Sequence, residues 1–227
     1  MNQSSTNPFR LVTVVFAGFL IAYCIWLLLA ELSRPVVDRV LTDSQSATIT
    51  SNERNERNDA TWAAWIGGFR GDLWAQSAYT YSDLLWSSAS TNSGLAKALD
   101  ETRVRLDRAL RLAPHQSGSW LLISGLAARY RWSKPDPAEA LRMAYYTGPS
   151  EFALVPLRLF VVTELQTLDL ELQELAQRDL RLLIARNEKP VIVQEYKSAS
   201  PAGKHFIEQA LGEIDPAFGN LLRLGAP

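Results

Sequence analysis

Cysteine and histidine are nearly absent from this sequence, which has one cysteine, Cys24, and two histidines, His115 and His205. A single cysteine excludes an intramolecular disulfide and a cysteine-based metal site. Neither H-x3-H nor H-E-x-x-H spacing occurs, and a catalytic zinc needs three protein ligands. We therefore expect no metal ion and no cofactor.

A strong excess of charge of either sign is also lacking. The formal net charge of the 227 residues is −1, from 23 basic and 24 acidic side chains. Proteins that bind nucleic acid present a strongly basic face, so the composition argues against a nucleic-acid partner. Hydrophobic residues make up 47% of the chain, which is typical of a folded protein with a buried core.

The common enzyme motifs are missing as well. The sequence has no G-x-S-x-G elbow, no Walker A loop and no G-x-G-x-x-G. Gly67, Gly68 and Gly71 follow no predicted strand, so we interpret them as a helix break. Asp169 and Glu171 stand among polar neighbours and indicate a solvated helix face. We expect that the protein is not an enzyme.

A long apolar run is present near the N-terminus. Leu11 to Ala30 is twenty residues without a charge, close to the roughly 20 residues that cross about 30 Å of hydrocarbon. The alternative is a cleaved signal peptide, which has an apolar core of about 7–15 residues and a small-residue cleavage site. This run is longer, and Leu28 stands two places before Ala30. We interpret residues 11–32 as an uncleaved transmembrane anchor that lies in the bilayer through residues 11–30.

The orientation of the anchor is predicted from its flanks. Arg10 is the only charge before the run, although Arg34 and Arg39 follow it closely. A short N-terminal tail, residues 1–10, ahead of a large C-terminal part is typical of a signal-anchor. We therefore expect a single-pass protein of the bacterial inner membrane with a cytoplasmic tail and a periplasmic C-terminal domain.

Beyond the anchor the sequence predicts helices. Residues 33–58 are polar and predict a linker or a stand-off helix, and residues 59–227 predict one α-helical domain. No stretch shows sustained period-two alternation with turn punctuation, so the fold class is all-α, and we expect Val191–Val193 to lie in a short helix. One helix face is predicted from residues at helical spacing: Trp62, Trp65, Ile66 and Phe69. Helix starts are predicted at five polar residues: Asp72, Asp136, Ser150, Ser200 and Asp215.

Two helix endings in the chain are near-copies with an offset of 35 residues. Trp120 opens a new helix between them, with Ile123 and Ser124 following. The repeated positions are Leu106, Ala109, Leu110 and Pro114, then Leu141, Ala144, Tyr145 and Pro149. This arrangement resembles the tetratricopeptide repeat, a helix-turn-helix unit of about 34 residues, and Trp74 and Tyr81 stand at matching places of an earlier unit. The match departs at Ala127, Thr102 and Pro137.

The resemblance implies a solenoid of helical hairpins that acts as a protein-binding scaffold, because repeats of this family hold protein partners in a concave groove. Anchored units of this kind look like accessory components of cell-envelope or exopolysaccharide assembly. Arginine suits carboxylates because its planar fork donates two hydrogen bonds. The candidate partner-binding residues are Trp74, Tyr81, Arg105, Arg108, Arg111, Trp120 and Arg129.

Two other hypotheses stay open. In the first, the chain is a glycan-binding module whose tryptophans and arginines contact an acidic envelope polysaccharide, although we expect most of the seven tryptophans to be core residues. In the second, it is a structural accessory subunit of a membrane complex. Its anchor would then pack on other helices through Ala17, Gly18 and Ala22, since positions 18 and 22 have the small-xxx-small spacing.

Overall fold

The computed structural model describes residues 8–32, 51–86, 92–132 and 134–225. All regular structure in these ranges is helical, so the all-α prediction is confirmed. The α-helices are α1 (Pro8–Leu32), α2 (Ser51–Ile66), α3 (Gly71–Trp86), α4 (Asn92–Leu112), α5 (Ser117–Tyr130), α6 (Pro137–Thr147), α7 (Val155–Glu164), α8 (Leu170–Ala185), α9 (Lys189–Ser198), α10 (Pro201–Ile214) and α11 (Pro216–Arg223). A short 3-10 helix, Phe152–Leu154, precedes α7.

Helix α1 contains the predicted anchor. Phe9–Leu32 has a mean hydropathy of 2.5 and is long and apolar enough to cross a membrane. Its large apolar side chains are exposed along nearly the whole helix. The core helix of a water-soluble protein would bury such side chains, so α1 differs from a core helix in its surroundings as well as in its composition.

The described residues form two compact units, one that ends at Ala113 and one that begins at Pro114. The first contains α1–α4 and the second contains α5–α11. The boundaries predicted for the tail, anchor, linker and single helical domain stay predictions. Residues 51–58, which lie in the predicted linker or stand-off helix, belong to α2, and residues 33–50 lie outside the described ranges.

Helices α3 and α4 form an antiparallel hairpin. Gly71 is the first residue of α3. A Cβ at this position would lie 2.6 Å from the Ala113 Cβ and 2.8 Å from the Ala109 carbonyl oxygen, both at the C-terminal end of α4. Further along α3, Ser77 bonds to Arg105 near the middle of α4. The start of one helix therefore meets the end of the next, and glycine permits the close approach.

Helices α5 and α6 form a second antiparallel hairpin. The Ser124 hydroxyl donates to the Pro137 carbonyl oxygen at 2.6 Å, at the start of α6. Just beyond the end of α6, Glu151 accepts a 2.8 Å hydrogen bond from Ser117, the first residue of α5. Helices α7 to α11 continue the core of this unit, which includes Leu159 and Ile207.

These two hairpins are the helix pairs that the sequence predicted. Leu106, Ala109, Leu141 and Ala144, which repeat at the 35-residue offset, are all fully buried. Their burial accounts for the repeated pattern, because each pair must close an apolar seam between its helices. The stacking of such pairs into a solenoid, and the tetratricopeptide identity of the repeat, stay predictions.

Most of the predicted helix starts are observed, and two are wrong. Asp136, Ser200 and Asp215 each accept a hydrogen bond from a backbone N–H in the first turn of the helix that follows. Asp72 does not precede α3 but lies in its first turn, where Arg70 pairs with it. Ser150 does not cap a helix either, because a 3-10 turn intervenes and α7 begins only at Val155.

The aromatic face predicted for α2 also requires correction. The helix ends at Ile66, before Phe69, and its buried face is made of small residues such as Ala63 and Ala64. Trp62 and Trp65 are 60% and 71% exposed. Alanines occupy the buried face because the neighbouring helices approach α2 closely there. The prediction that most tryptophans are core residues therefore fails for this helix.

Candidate functional site

The hairpin α3–α4 carries five of the seven residues predicted to bind a partner, and it brings four of them into contact as two pairs. The first pair is Arg105 and Tyr81. The Arg105 guanidinium carbon lies 4.0 Å from the centroid of the Tyr81 ring. Its Nε donates to the Ser77 hydroxyl at 3.0 Å, and its Nη1 pairs with Glu101 one turn away. Arg105 is 8% exposed, so its hydrogen-bonding capacity is used inside the hairpin.

Trp74 and Arg108 repeat this arrangement, about two turns earlier on α3 and one turn later on α4. The Arg108 guanidinium carbon lies 4.3 Å from the Trp74 ring centroid, within the range of a cation–π contact. The Trp74 indole is buried and donates to the Gly68 carbonyl oxygen at 3.3 Å. Arg108 is exposed, as is Arg111 in the last turn of α4. A partner could therefore reach these two arginines, whereas Trp74 contributes to the hairpin core.

The other two predicted residues lie on α5 in the second unit. Trp120 is half-buried, and its indole donates to the Pro114 carbonyl oxygen at 2.7 Å, so it closes the turn that precedes α5. Arg129 is exposed in the last turn of the same helix. The partner-binding role of all seven residues stays a prediction.

The small-residue face of the anchor is open. Ala17, Gly18 and Ala22 are exposed, and a Cβ built on Gly18 would meet no atom within 4 Å. Space for a second helix is therefore present on this side of α1, and the predicted packing in a membrane complex stays a prediction.

A feature that the sequence did not predict is the contact between the end of α1 and the turn after α2, which we call the anchor junction. It consists of Trp26, Ala30, Glu31, Ile66, Gly67 and Arg70. The Trp26 indole donates to the Ile66 carbonyl oxygen at 2.6 Å. Ala30 is fully buried in a cluster with Ala63 and Ala64. The end of α1 is thus part of the core of the first unit.

Charged groups close the anchor junction on its outer side. The Arg70 Nη1 lies 2.7 Å from the Glu31 Oε2, and its Nη2 lies 2.6 Å from the Asp72 Oδ2. The hydrogen bonds that Arg70 donates to Asp72, and then to Glu31, raise the pKa of Arg70 above its ordinary value. One guanidinium therefore ties the first charge beyond the apolar run to the first turn of α3.

Gly67 makes the anchor junction possible. A Cβ at this position would lie 2.4 Å from the Leu73 Cδ1, 3.1 Å from the Ala63 carbonyl oxygen and 3.6 Å from the Ala30 Cβ. The glycine-rich stretch was predicted only as a helix break. Glu31 and Arg70 were visible as charges in the sequence, but no spacing rule links two side chains that are 39 residues apart.

In the second unit, a buried arginine holds the end of α6. Arg158 and Asp179 are 0% and 1% exposed, and the Arg158 Nη1 lies 3.7 Å from the Asp179 Oδ2. The Arg158 Nη2 donates to the carbonyl oxygens of Gly148 and Ala144, and its guanidinium carbon lies 4.8 Å from the Tyr145 ring centroid. Burial raises the pKa of Asp179, although Arg158 acts in the opposite direction. This group satisfies the last carbonyls of α6.

A small cleft in the second unit, of about 140 Å³, is lined by amide side chains and His205. Its polar lining residues are Gln166, Gln173, His205 and Gln209. Among the residues that the structure describes, no three side chains of His, Cys, Asp or Glu are grouped to hold a metal ion.

Comparisons of the chain with protein-family models, with curated proteins and with solved structures found no match.

Proposed function

We propose that this protein is a membrane-anchored scaffold that holds a protein partner beside the bacterial inner membrane, as an accessory factor in cell-envelope or exopolysaccharide assembly. Helices α2 to α11 lie on the periplasmic side of the anchor. The observation that carries the proposal is the anchor junction, because it makes α1 a structural part of the first unit rather than a loose tether.

The anchor junction also supports an anchor that stays attached. Cleavage of a signal peptide near Ala30 would remove the Trp26 indole from the Ile66 carbonyl and expose the alanine cluster that Ala30 covers. A signal peptide has no need of such contacts, since it is discarded before the domain folds. In an uncleaved anchor, the contacts of Trp26 and Ala30 remain in place and stabilise the first unit.

The surface that we assign to the partner is the outer face of α4. Arg103, Arg108 and Arg111 are exposed there beside two apolar side chains, Val104 at 56% exposure and Leu112 at 39%. Arginine and aliphatic side chains on one helix face suit a partner segment that carries carboxylates around an apolar centre. The position of Arg105 inside the hairpin excludes it from this surface.

The test is purification of the tagged full chain from membranes in mild detergent, with mass spectrometry of the proteins that accompany it. We expect a defined envelope protein that is lost in the variant R103E/R111E. The matched control is K97E/K197E, which makes the same change in charge at two exposed lysines. Loss of the partner from both variants, or from neither, would contradict the assignment of the α4 surface.

The orientation is tested separately with alkaline phosphatase fused after residue 227. The enzyme gains its disulfides only in an oxidising compartment, so a periplasmic C-terminus predicts an active fusion. An inactive fusion that is nevertheless produced in full would place α2 to α11 in the cytoplasm.

A further inference from the structure

We propose that Trp62, Trp65 and Phe69, which we call the aromatic ridge, insert into the lipid headgroup region of the bilayer that α1 crosses. The ridge would add a second, interfacial attachment to the transmembrane one. This inference rests on the proposed membrane anchor and deepens it. Two sets of observations carry it, the depth of the ridge along α1 and the change of surface along α2.

The depth of the ridge follows from the anchor junction. Trp26 lies four residues before Ala30, the end of the uncharged run, which at about 1.5 Å per residue is about 6 Å along the helix. Its indole bonds directly to the carbonyl oxygen of Ile66, the last residue of α2. The C-terminal end of α2 therefore lies beside the last part of the membrane-spanning segment, at the level of the headgroups.

The surface of α2 changes along its length in the same direction. Its described exposed residues far from the anchor are polar, among them Asn55 and Asp59. Towards the anchor they become aromatic, with Trp62 at 60% and Trp65 at 71% exposure, and Phe69, three residues beyond the end of α2, is 94% exposed. The two indole rings are 6.1 Å apart at an interplanar angle of 84°, so they form one contiguous surface.

Chemistry and hydrogen bonding agree with an interfacial position. Tryptophan is enriched where the bilayer meets water, because its ring is apolar and its N–H still finds a polar partner there. The last carbonyl groups of a helix need donors, and water is scarce close to the hydrocarbon. Trp26 supplies such a donor to Ile66 from within the anchor. A nearly fully exposed phenylalanine is unfavourable in water and favourable in the interface.

The experiment uses the full chain in phosphatidylcholine vesicles, in a Cys24→Ser background. The substitution Phe69→Cys introduces a single cysteine, which is labelled with an environment-sensitive fluorophore. Quenching of its fluorescence is measured with lipids that carry a spin label either near the headgroup or near the end of the acyl chain. Leu20→Cys, in the middle of α1, is the control for insertion of the anchor. Lys97→Cys, exposed near the start of α4 and far from the anchor end of the hairpin, is the control for water. Because Phe69 is 94% exposed, its replacement leaves the core intact.

We expect the probe at position 69 to be quenched by the headgroup-level label several-fold more strongly than the probe at position 97. The probe at position 20 should respond to the deep label. Equal, weak quenching at positions 69 and 97, with position 20 quenched, would overturn the inference and leave the anchor standing. A water-exposed probe at position 20 would overturn both. A probe at position 69 that ignores lipid but responds to the acidic polysaccharide polygalacturonate would replace the membrane interface with a glycan site.

Discussion

The Trp26 indole is the residue-scale feature on which the anchor junction depends most directly. The variant W26F keeps an aromatic ring but removes the N–H that donates to Ile66. In the proposed position at the edge of the bilayer water is scarce, and a carbonyl left without its donor there costs about 1–3 kcal/mol. We expect faster hydrogen exchange of the backbone around Gly67 and Arg70 in detergent-solubilised protein, measured by mass spectrometry. W120F removes an indole N–H that donates to the Pro114 carbonyl oxygen in the second unit and should leave this exchange unchanged, and equal effects of the two variants would contradict the role of Trp26.

Arg158 is the corresponding residue in the second unit. Replacing it by methionine keeps much of its volume but removes the donors to Gly148 and Ala144 and leaves Asp179 buried without its cation. Breaking a buried ion pair from one side costs about 3–5 kcal/mol. We expect R158M to lower the denaturant midpoint of unfolding of the full chain accordingly. R181M, at an exposed position of α8, should change it little. A small effect of R158M would show that the end of α6 does not depend on this guanidinium.

Glu195 predicts a pH dependence of stability. Burial, and then the charge of Glu164, raise its pKa from 4.5 to about 7, and its Oε2 has no hydrogen-bond partner among the described residues. Between these values the folded chain keeps a proton that the unfolded chain has released. Its contribution to stability is therefore complete below pH 4.5 and is lost as the pH rises through about 7.

This loss should appear as a fall in the thermal unfolding midpoint between pH 5 and pH 8, followed by circular dichroism in detergent. E195Q should flatten the fall, because the amide does not titrate. E213Q, at an exposed position of α10, should preserve it. A profile that is the same in E195Q and in the parent chain would assign the pH dependence to other groups.

Residue by residue, the sequence predicted burial better than contacts. The repeated leucines and alanines of α4 and α6 are buried, as predicted. Apolar residues at a 3.6-residue period indicate directly which side of a helix faces its neighbour. Trp62 and Trp65 have the same period but are exposed. Periodicity records that a face is apolar, and it does not record whether protein or lipid covers that face. The partners of Trp26, Glu31 and Arg70 were not predictable, since they join separate elements.

At the scale of elements, glycine determines how closely the helices of a hairpin approach. A Cβ at Gly71 would meet the Ala109 carbonyl oxygen at 2.8 Å and the Ala113 backbone nitrogen at 2.9 Å, so α3 and the end of α4 must move apart. We expect G71A to destabilise the protein by about 1–3 kcal/mol. G212A, in α10, meets no atom within 4 Å and should stabilise the helix by about 0.5–1 kcal/mol. Chemical denaturation of both variants measures the difference, and a stabilised G71A would contradict the close approach.

The starts of the helices were predictable where an N-cap side chain precedes a proline, as at Asp136, Ser200 and Asp215. This local signal combines a side-chain acceptor with a residue that needs no N–H partner. Asp72 was misassigned because Arg70 and the close approach at Gly71 determine how α3 begins. Ser150 was misassigned because the chain forms a 3-10 turn first. At Asp72, tertiary contacts therefore override the local capping signal.

At the scale of the whole molecule, two properties meet in α1. It is the one described helix that is long and apolar enough to cross a membrane, and its last turns complete the core of the first unit. A flexible tether would place that unit anywhere within reach of the bilayer. The anchor junction instead fixes the end of α2 and the start of α3 against the end of the anchor. The exposed face of α4, which pairs with α3, therefore has a defined position relative to α1.

The most direct test of this account is cross-linking of the anchor junction in native membranes. In a Cys24→Ser background, the pair Glu31→Cys and Arg70→Cys replaces an ion pair of 2.7 Å with two thiols that a short bismaleimide can join. We predict efficient intramolecular cross-linking, and an intact mass that includes residues 1–32. Glu31→Cys paired with Lys97→Cys, which lies near the other end of the hairpin, should not react. A mature chain that starts after Ala30, or two accessible thiols at positions 31 and 70 that do not cross-link, would contradict the account.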